Sequence, residues 1–270
     1  MAGWGPRRLA LASLLIVFSF SQNPPADLPL LELVRKIADV QRDLPWFWSP
    51  PLEGMGEIPY TFHTLHRRRR LDQRDREVKL KKGEGGYYRE WRSLQLERIS
   101  DNGYTHTRCI SQDGISPCAG WLVQALSKDS QKWSNFTAEE KAKVAGVRLA
   151  RTQRRNEFWS AFPNAFRFER IGPEQIRFAP LSDASGIEGQ LWFDPATFHL
   201  TRMEYTVLAD KERLPKGSRF RIELSKSGDG RLLPARVVIH RGIPKAGQVE
   251  EDIAEYGNYR RFAVDSEIVF

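Results

Sequence analysis

Residues 189–205, GQLWFDPATFHLTRMEY, decide the fold. Asp194-Pro195 is turn chemistry: aspartate favours the first turn position, and proline presets φ at the second. Beyond the turn, Thr201, Met203, Tyr205 and Val207 alternate with Arg202, Glu204 and Thr206. That period of two predicts a half-buried strand. The stretch also holds an acid, a histidine, an arginine and aromatics, the residue types of a reaction centre. A catalytic reading needs a base within reach of a nucleophile and a third group that orients the base. His199 has neither in this stretch, so the segment reads as a hairpin.

The same alternation extends outward. AFRFERIGPEQIRFAP (165–180) predicts two strands around Gly172-Pro173, and RFRIEL (219–224) sets Phe220, Ile222 and Leu224 against charges. Gly228-Asp229-Gly230 turns the chain into PARVVIHRG (234–242), and VEEDIAEYGNYRRF (249–262) follows. Residues 58–110 are extended as well, with turn signals at Lys82–Gly86 and Asp101-Asn102-Gly103. In HRRRRL (66–71) the arginines fall on both strand faces, which reads as a solvated edge rather than a binding groove. The predicted fold is mainly β (α+β): a curved antiparallel sheet or incomplete barrel of about ten or eleven strands.

Two helices accompany the sheet. LLELVRKIADVQRDL (30–44) carries a stripe of Leu30, Leu33, Val34, Ile37, Val40, Gln41 and Leu44, apolar except for Gln41, with Asp27 as N-cap. An inserted helix over about 137–160 opens with the capping box Thr137-x-x-Glu140. Its apolar face is thin: Ala138, Ala142, Ala145 and Leu149. Lys141, Arg148, Arg151 and Arg155 recur on one side of it, either as a solvated face or as an anion-contacting stripe.

The first residues read as an address. Arg7 and Arg8 precede the apolar run LALASLLIVFSF, and Ser19-Phe20-Ser21 is a small-x-small cleavage pattern. Residues 1–21 are therefore expected to be a secretion signal and 22–270 a single exported β domain, soluble after cleavage. The chain of 270 residues is 40% hydrophobic and 28% charged with a net charge of +8, a globular composition able to bury a core. Its two cysteines, Cys109 and Cys118, flank the turn signal Gln112-Asp113-Gly114, and in an oxidising compartment they are expected to pair.

No G-x-S-x-G elbow, H-E-x-x-H helix, P-loop or dinucleotide fingerprint is present. The histidines His63, His66, His106, His199 and His240 are scattered, and His63 and His66 fall on opposite faces of a strand. No catalytic residue, metal or cofactor is expected, and no nucleic-acid motif occurs.

Taken together, YTFHTLHRRRRLD, YYREWRSLQLERISDNG, FRFERIGPEQIRFAP, GQLWFDPATFHLTRMEY and YGNYRRF resemble uncharacterised exported envelope proteins of Acidobacteria-type genomes. Those are grouped with the outer-membrane lipoprotein-sorting (LolA/LolB-like) carriers. The resemblance implies a strongly curved, incomplete barrel plugged by helices, in the periplasm of a Gram-negative-type cell. It also implies a non-enzymatic carrier for a lipid or acylated protein. Candidate lining for an apolar hollow comes from the large side chains on β segments: Phe166, Phe168, Phe178, Trp192, Phe193, Phe220, Ile222, Val237 and Ile239. The alternative is an envelope interaction or sensor module that meets a protein partner or an anionic membrane surface; a hydrolase stands third.

Overall fold

The computed structural model of the chain describes residues 28–43, 60–72, 74–78, 93–101, 104–182, 186–210, 214–228, 230, 232–243 and 247–261. The proposed leader, Asp27, Leu44 and the turn at 82–86 lie outside them. The elements are α1 (Leu30–Asp43), β1 (Tyr60–Leu71), β2 (Ser93–Asp101), β3 (Tyr104–Gln112), α2 (Gly120–Ser134), α3 (Ala138–Ala165), β4 (Phe166–Gly172), β5 (Gln175–Pro180), β6 (Ile187–Phe193), β7 (Leu200–Val207), β8 (Arg219–Lys226), β9 (Leu232–Ile243) and β10 (Gln248–Arg261).

All ten strands form one antiparallel sheet in the order β3-β2-β1-β10-β9-β8-β7-β6-β5-β4. Every pairing joins neighbours in the sequence except β1 with β10, which ties the first strand to the last. β3 and β4 are the edges, so the barrel stays open. The arginine run therefore lies on an interior strand, not on an edge as its composition implied. β1 sits between β10 and β2, and its arginines meet acids of β10 across the register Arg67↔Ile253 to Arg70↔Glu250.

The hairpin at 189–205 forms as predicted. The Asp194 carboxylate accepts from the Ala196 amide at 2.9 Å, the Asp194 carbonyl accepts from the Phe198 amide at 2.7 Å, and Phe198 takes φ 59°. A bulge between Trp192 and Phe193 shifts the pairing, so Leu200 joins Met203, Tyr205 and Val207 on the buried side. Gly189 lies opposite Tyr205 where the backbones approach closely: a Cβ there would stand 2.0 Å from the Glu204 carbonyl oxygen. Tyr205 in turn stacks on Phe220, with ring centroids 4.7 Å apart.

Helix α1 buries Leu33, Val34, Ile37, Ala38 and Gln41, close to the predicted stripe, with Ala38 in place of Val40. Helix α3 opens with both bonds of the capping box, Glu140 N–H to Thr137 Oγ1 at 3.2 Å and Thr137 N–H to Glu140 Oε2 at 2.8 Å. It runs on to Ala165, beyond the predicted end. Ala138 and Ala142 are exposed; the helix is anchored through its far end, where Trp159 and Phe162 are fully buried. The insert is also larger than the sequence implied, because α2 precedes α3. Leu122 of α2 packs with Cys118, Leu94 and Leu96.

Candidate functional site

One face of the sheet carries all three helices, but its two halves differ in chemistry. Over β4–β9 it is an apolar core. Phe162 touches Phe166, Phe168 and Phe178 with centroids 4.9–5.4 Å apart, and Trp159 lies 5.2 Å from Phe162. Ile176, Leu191, Met203 and Ile222 complete the floor beneath α1 and α3. Burying each large side chain of this kind contributes about 1.5–3 kcal/mol.

The candidate lining residues belong to this core. Phe166, Phe178, Phe193, Phe220, Ile222 and Val237 are buried, and Phe168 and Ile239 pack against them. These eight share one face, and α1 and the aromatic end of α3 occupy it. Trp192 is separate from the set. It alternates with Leu191 and Phe193, so it faces the other side of the sheet, where the Arg202 guanidinium sits 4.5 Å from its ring centre.

Over β10, β1 and β2 the same helix-bearing face becomes polar and aromatic. The register aligns Tyr256, Thr64 and Leu96 in one row, Ala254, His66 and Leu94 in the next, and Phe62 opposite Arg98. Phe62 stacks on Tyr259 at 5.5 Å and tilts against Tyr256 at 6.1 Å. The Tyr259 hydroxyl donates to the Pro234 carbonyl at 2.6 Å. Burial pushes the Tyr256 phenol up to about 12, with Arg98 pulling the other way, and raises that of Tyr259 as well.

Arg98 Nη2 lies 3.3 Å from His66 Nε2. Burial first, and then the Arg98 charge, lower His66 to about 4. The ring is therefore neutral in ordinary buffers. Because guanidinium only donates, His66 Nε2 is the acceptor and its proton sits on Nδ1. Nearby, Arg68 and Arg241 hold Asp252 and Glu250: Arg68 Nη2 donates to Asp252 at 2.9 Å and Arg241 Nη1 to Glu250 at 3.3 Å.

The opposite face of the sheet is a lattice of matched charges. Arg67 bonds Glu255, Arg69 bonds Glu251, and His240 lies 2.8 Å from the same Glu251 carboxylate. Burial alone would raise Glu251, yet bonds from Arg69 and His240 leave its carboxyl below the usual range. A cleft of about 370 Å³ opens here, lined by Gln190, Glu204, Arg221, Arg236, His240 and others. Its acids are already committed to these cations, Glu204 being shared by Arg202 and Arg221.

The remaining sequence candidates fall outside both halves. Lys141 of α3 places its ammonium 5.7 Å from the Trp133 ring centre of α2. Arg148, Arg151 and Arg155 follow on the same helix, with side chains outside the described part. Cys109 and Cys118 form a disulfide, Cα atoms 6.1 Å apart, joining β3 to the start of α2. Among the described residues no helix is long and apolar enough to cross a membrane, and no group of three His, Cys, Asp or Glu is placed to hold a metal ion. Sequence reading missed the pairing of His66 with Arg98. The two residues lie 32 positions apart, and only the β1–β2 register brings them together.

No family model matches the sequence, and no curated protein matches it. Among solved structures, the chain is similar to the crystal structure of a LolA superfamily protein, NE2245, from Nitrosomonas europaea. Identity is 11%, the match covers 88% of this chain and 96% of that one, and the TM-score is 0.29. At that level of agreement, strand order and helix placement are read from this chain alone.

Proposed function

We propose that the protein is a non-enzymatic binding or carrier protein for a lipid-like ligand, exported as a single β domain after loss of residues 1–21. One observation carries this reading: the helix-bearing face changes character between its two helix-packed ends. Under α1 and α3 it is filled with apolar side chains. Under α2 it is closed by Leu94, Leu96, Leu122 and the disulfide. Between these ends runs a strip of Phe62, Thr64, His66, Arg98, Tyr256 and Tyr259, which sets aromatic and polar side chains side by side. An amphiphile has the matching duality, since each methylene it buries contributes about 0.8 kcal/mol while its head satisfies polar groups.

The test is titration of delipidated full-length protein with a fluorescent long-chain fatty acid, followed by displacement with the unlabelled acid. Saturable binding of one probe per chain is the expected result; a linear, non-displaceable signal removes the carrier reading.

A second reading has its own observation. Ile115, Trp121 and Val123 are exposed around the disulfide and the first turn of α2, Ile115 at 70%. This corner offers an apolar contact of the kind a membrane-docking or sensor module would need, and the sequence of α3 adds Lys141, Arg148, Arg151 and Arg155 as positive charge. Binding to anionic vesicles that weakens with salt and is lost in Arg148→Gln/Arg151→Gln/Arg155→Gln favours it; equal binding by parent and variant leaves α3 as a solvated face.

A further inference from the structure

Arg98 differs from most of the arginines on the strands around it. Arg67, Arg68 and Arg69 of β1 each bond an acid of β10, Arg108 bonds Glu97 at 2.7 Å, and Arg236 has Glu255 at 3.9 Å. Arg98 has no carboxylate among the described residues. Its polar contact is the neutral ring of His66, and its Nε is buried without an acceptor. The acids on this face, Glu250 and Asp252, are held by Arg68 and Arg241. A largely buried guanidinium without a counter-ion is costly to keep, and it acts as a fork aimed at whatever oxyanion arrives.

A second observation points to the same spot. Thr64 is fully buried, and its hydroxyl has no partner. Thr64 pairs with Leu96, two residues before Arg98 on the same face of β2, so the two side chains are diagonal neighbours. Tyr256, opposite Thr64 on β10, flanks them on the other side. A guanidinium donor, a hydroxyl and a phenol thus converge where Phe62 and Tyr259 supply apolar walls.

We propose that Arg98, with Thr64, is the head-group anchor of the strip, taking the oxyanion of an amphiphile, a carboxylate or phosphate on an acyl chain. This rests on the carrier reading for the chain and adds the chemistry of the head. His66 positions the guanidinium: it accepts one N–H from Arg98 and leaves the rest of the fork for the ligand. The exchange is non-covalent. The ligand oxyanion replaces water around Arg98 on entry, and water returns on release.

The experiment compares a long-chain fatty acid with the fatty alcohol of the same length, on the delipidated full chain. The acid is expected to bind more tightly by about tenfold or more, the scale of a charge-assisted hydrogen bond. Arg98→Met is expected to erase that gap, weakening the acid far more than the alcohol. Equal binding of acid and alcohol by the parent overturns the anchor and leaves the carrier reading standing. Inorganic phosphate separates the opposite case. If neither chain binds but phosphate stabilises the parent and not Arg98→Met, the oxyanion seat holds and the carrier reading falls. If acid, alcohol and phosphate all fail to bind, both fall. The acid–alcohol gap of the parent needs no variant, so a poorly folding Arg98→Met does not block the test. In ligand-free protein the variant is expected to unfold at no lower denaturant than the parent. A clear drop there makes Arg98 a structural residue and overturns the proposal.

Discussion

The two halves of the helix-bearing face share one sheet but solve the problem of burial differently. From β4 to β9 most inward positions are apolar, and helices complete the packing: Trp159 and Phe162 from α3, Leu33 to Ala38 from α1. From β10 to β2 inward positions include Thr64, His66, Arg68, Arg98 and Asp252. The first half is a well-filled core with one unanswered polar side chain, Gln41. The second keeps buried donors that its own neighbours leave unanswered. Polar burial of that kind costs stability unless a partner answers it.

The largest effect that sharpens this contrast is on stability. Phe162→Ala is expected to cost about 3–5 kcal/mol, since the aromatic cluster around it cannot collapse into the space. Thr64→Val, equally buried, is expected to cost nothing or to stabilise slightly, because an unanswered hydroxyl is removed without loss of volume. Urea unfolding of both variants decides it; a Thr64→Val loss comparable to Phe162→Ala would make the two halves alike.

Next comes the α2 end. The disulfide closes a short loop, a sequence separation of 9, so Cys109→Ser/Cys118→Ser is expected to lose at most about 3 kcal/mol by the chain-entropy argument. Thiol titration of the unfolded, unreduced parent is expected to find no free thiol, and finding two would contradict the disulfide.

Gln41 tests the filled half from within. It is the polar member of the α1 stripe, fully buried, with neither amide atom partnered. Gln41→Met is expected to raise stability by about 1–3 kcal/mol, the cost of an unsatisfied buried group. A loss instead would mean that the amide has a partner in solution.

The smallest effect is on pH dependence. Folding lowers His66 from 6.5 to about 4, so between those values the unfolded chain binds the proton more readily. Its contribution to stability is complete above pH 6.5 and declines as pH falls toward 4. Glu251, held low by Arg69 and His240, loses stability on acidification too, as its carboxylate protonates. His66→Gln should flatten the upper part of the acid limb of the unfolding midpoint; an unchanged limb would place the titration elsewhere.

How far the sequence foretold this depended on how local each cause is. The 189–205 hairpin was legible because Asp194-Pro195 and the alternation after it act within a few residues. Thr137 and Glu140 announced the start of α3 for the same reason, and the cysteine pair spans a single turn. The role of HRRRRL was not legible, because Arg68 meets Asp252 across 184 positions of chain. Composition alone made it an edge; pairing made it the joint between the first strand and the last. α2 escaped notice because its apolar residues make no single stripe: Leu122 is buried while Trp121 and Val123 are exposed. Size and strand position put Trp192 in one set with Phe178 and Ile222, but which of them share a face, and that α1 and α3 cover it, came only with the strand register. The juxtaposition of Arg98, His66 and Thr64 needed the β1–β2 register, which no short pattern encodes.

The most direct test of the account is to map where an acyl chain sits. Full-length protein is loaded with a fatty acid bearing a photoreactive group on its chain, irradiated, digested and sequenced by mass spectrometry. Adducts on β1, β2 and β10, around Phe62, Leu96, Tyr256 and Tyr259, are the predicted result. Adducts concentrated on Phe178, Phe220 or Ile222 would contradict it and make the filled half the ligand's seat.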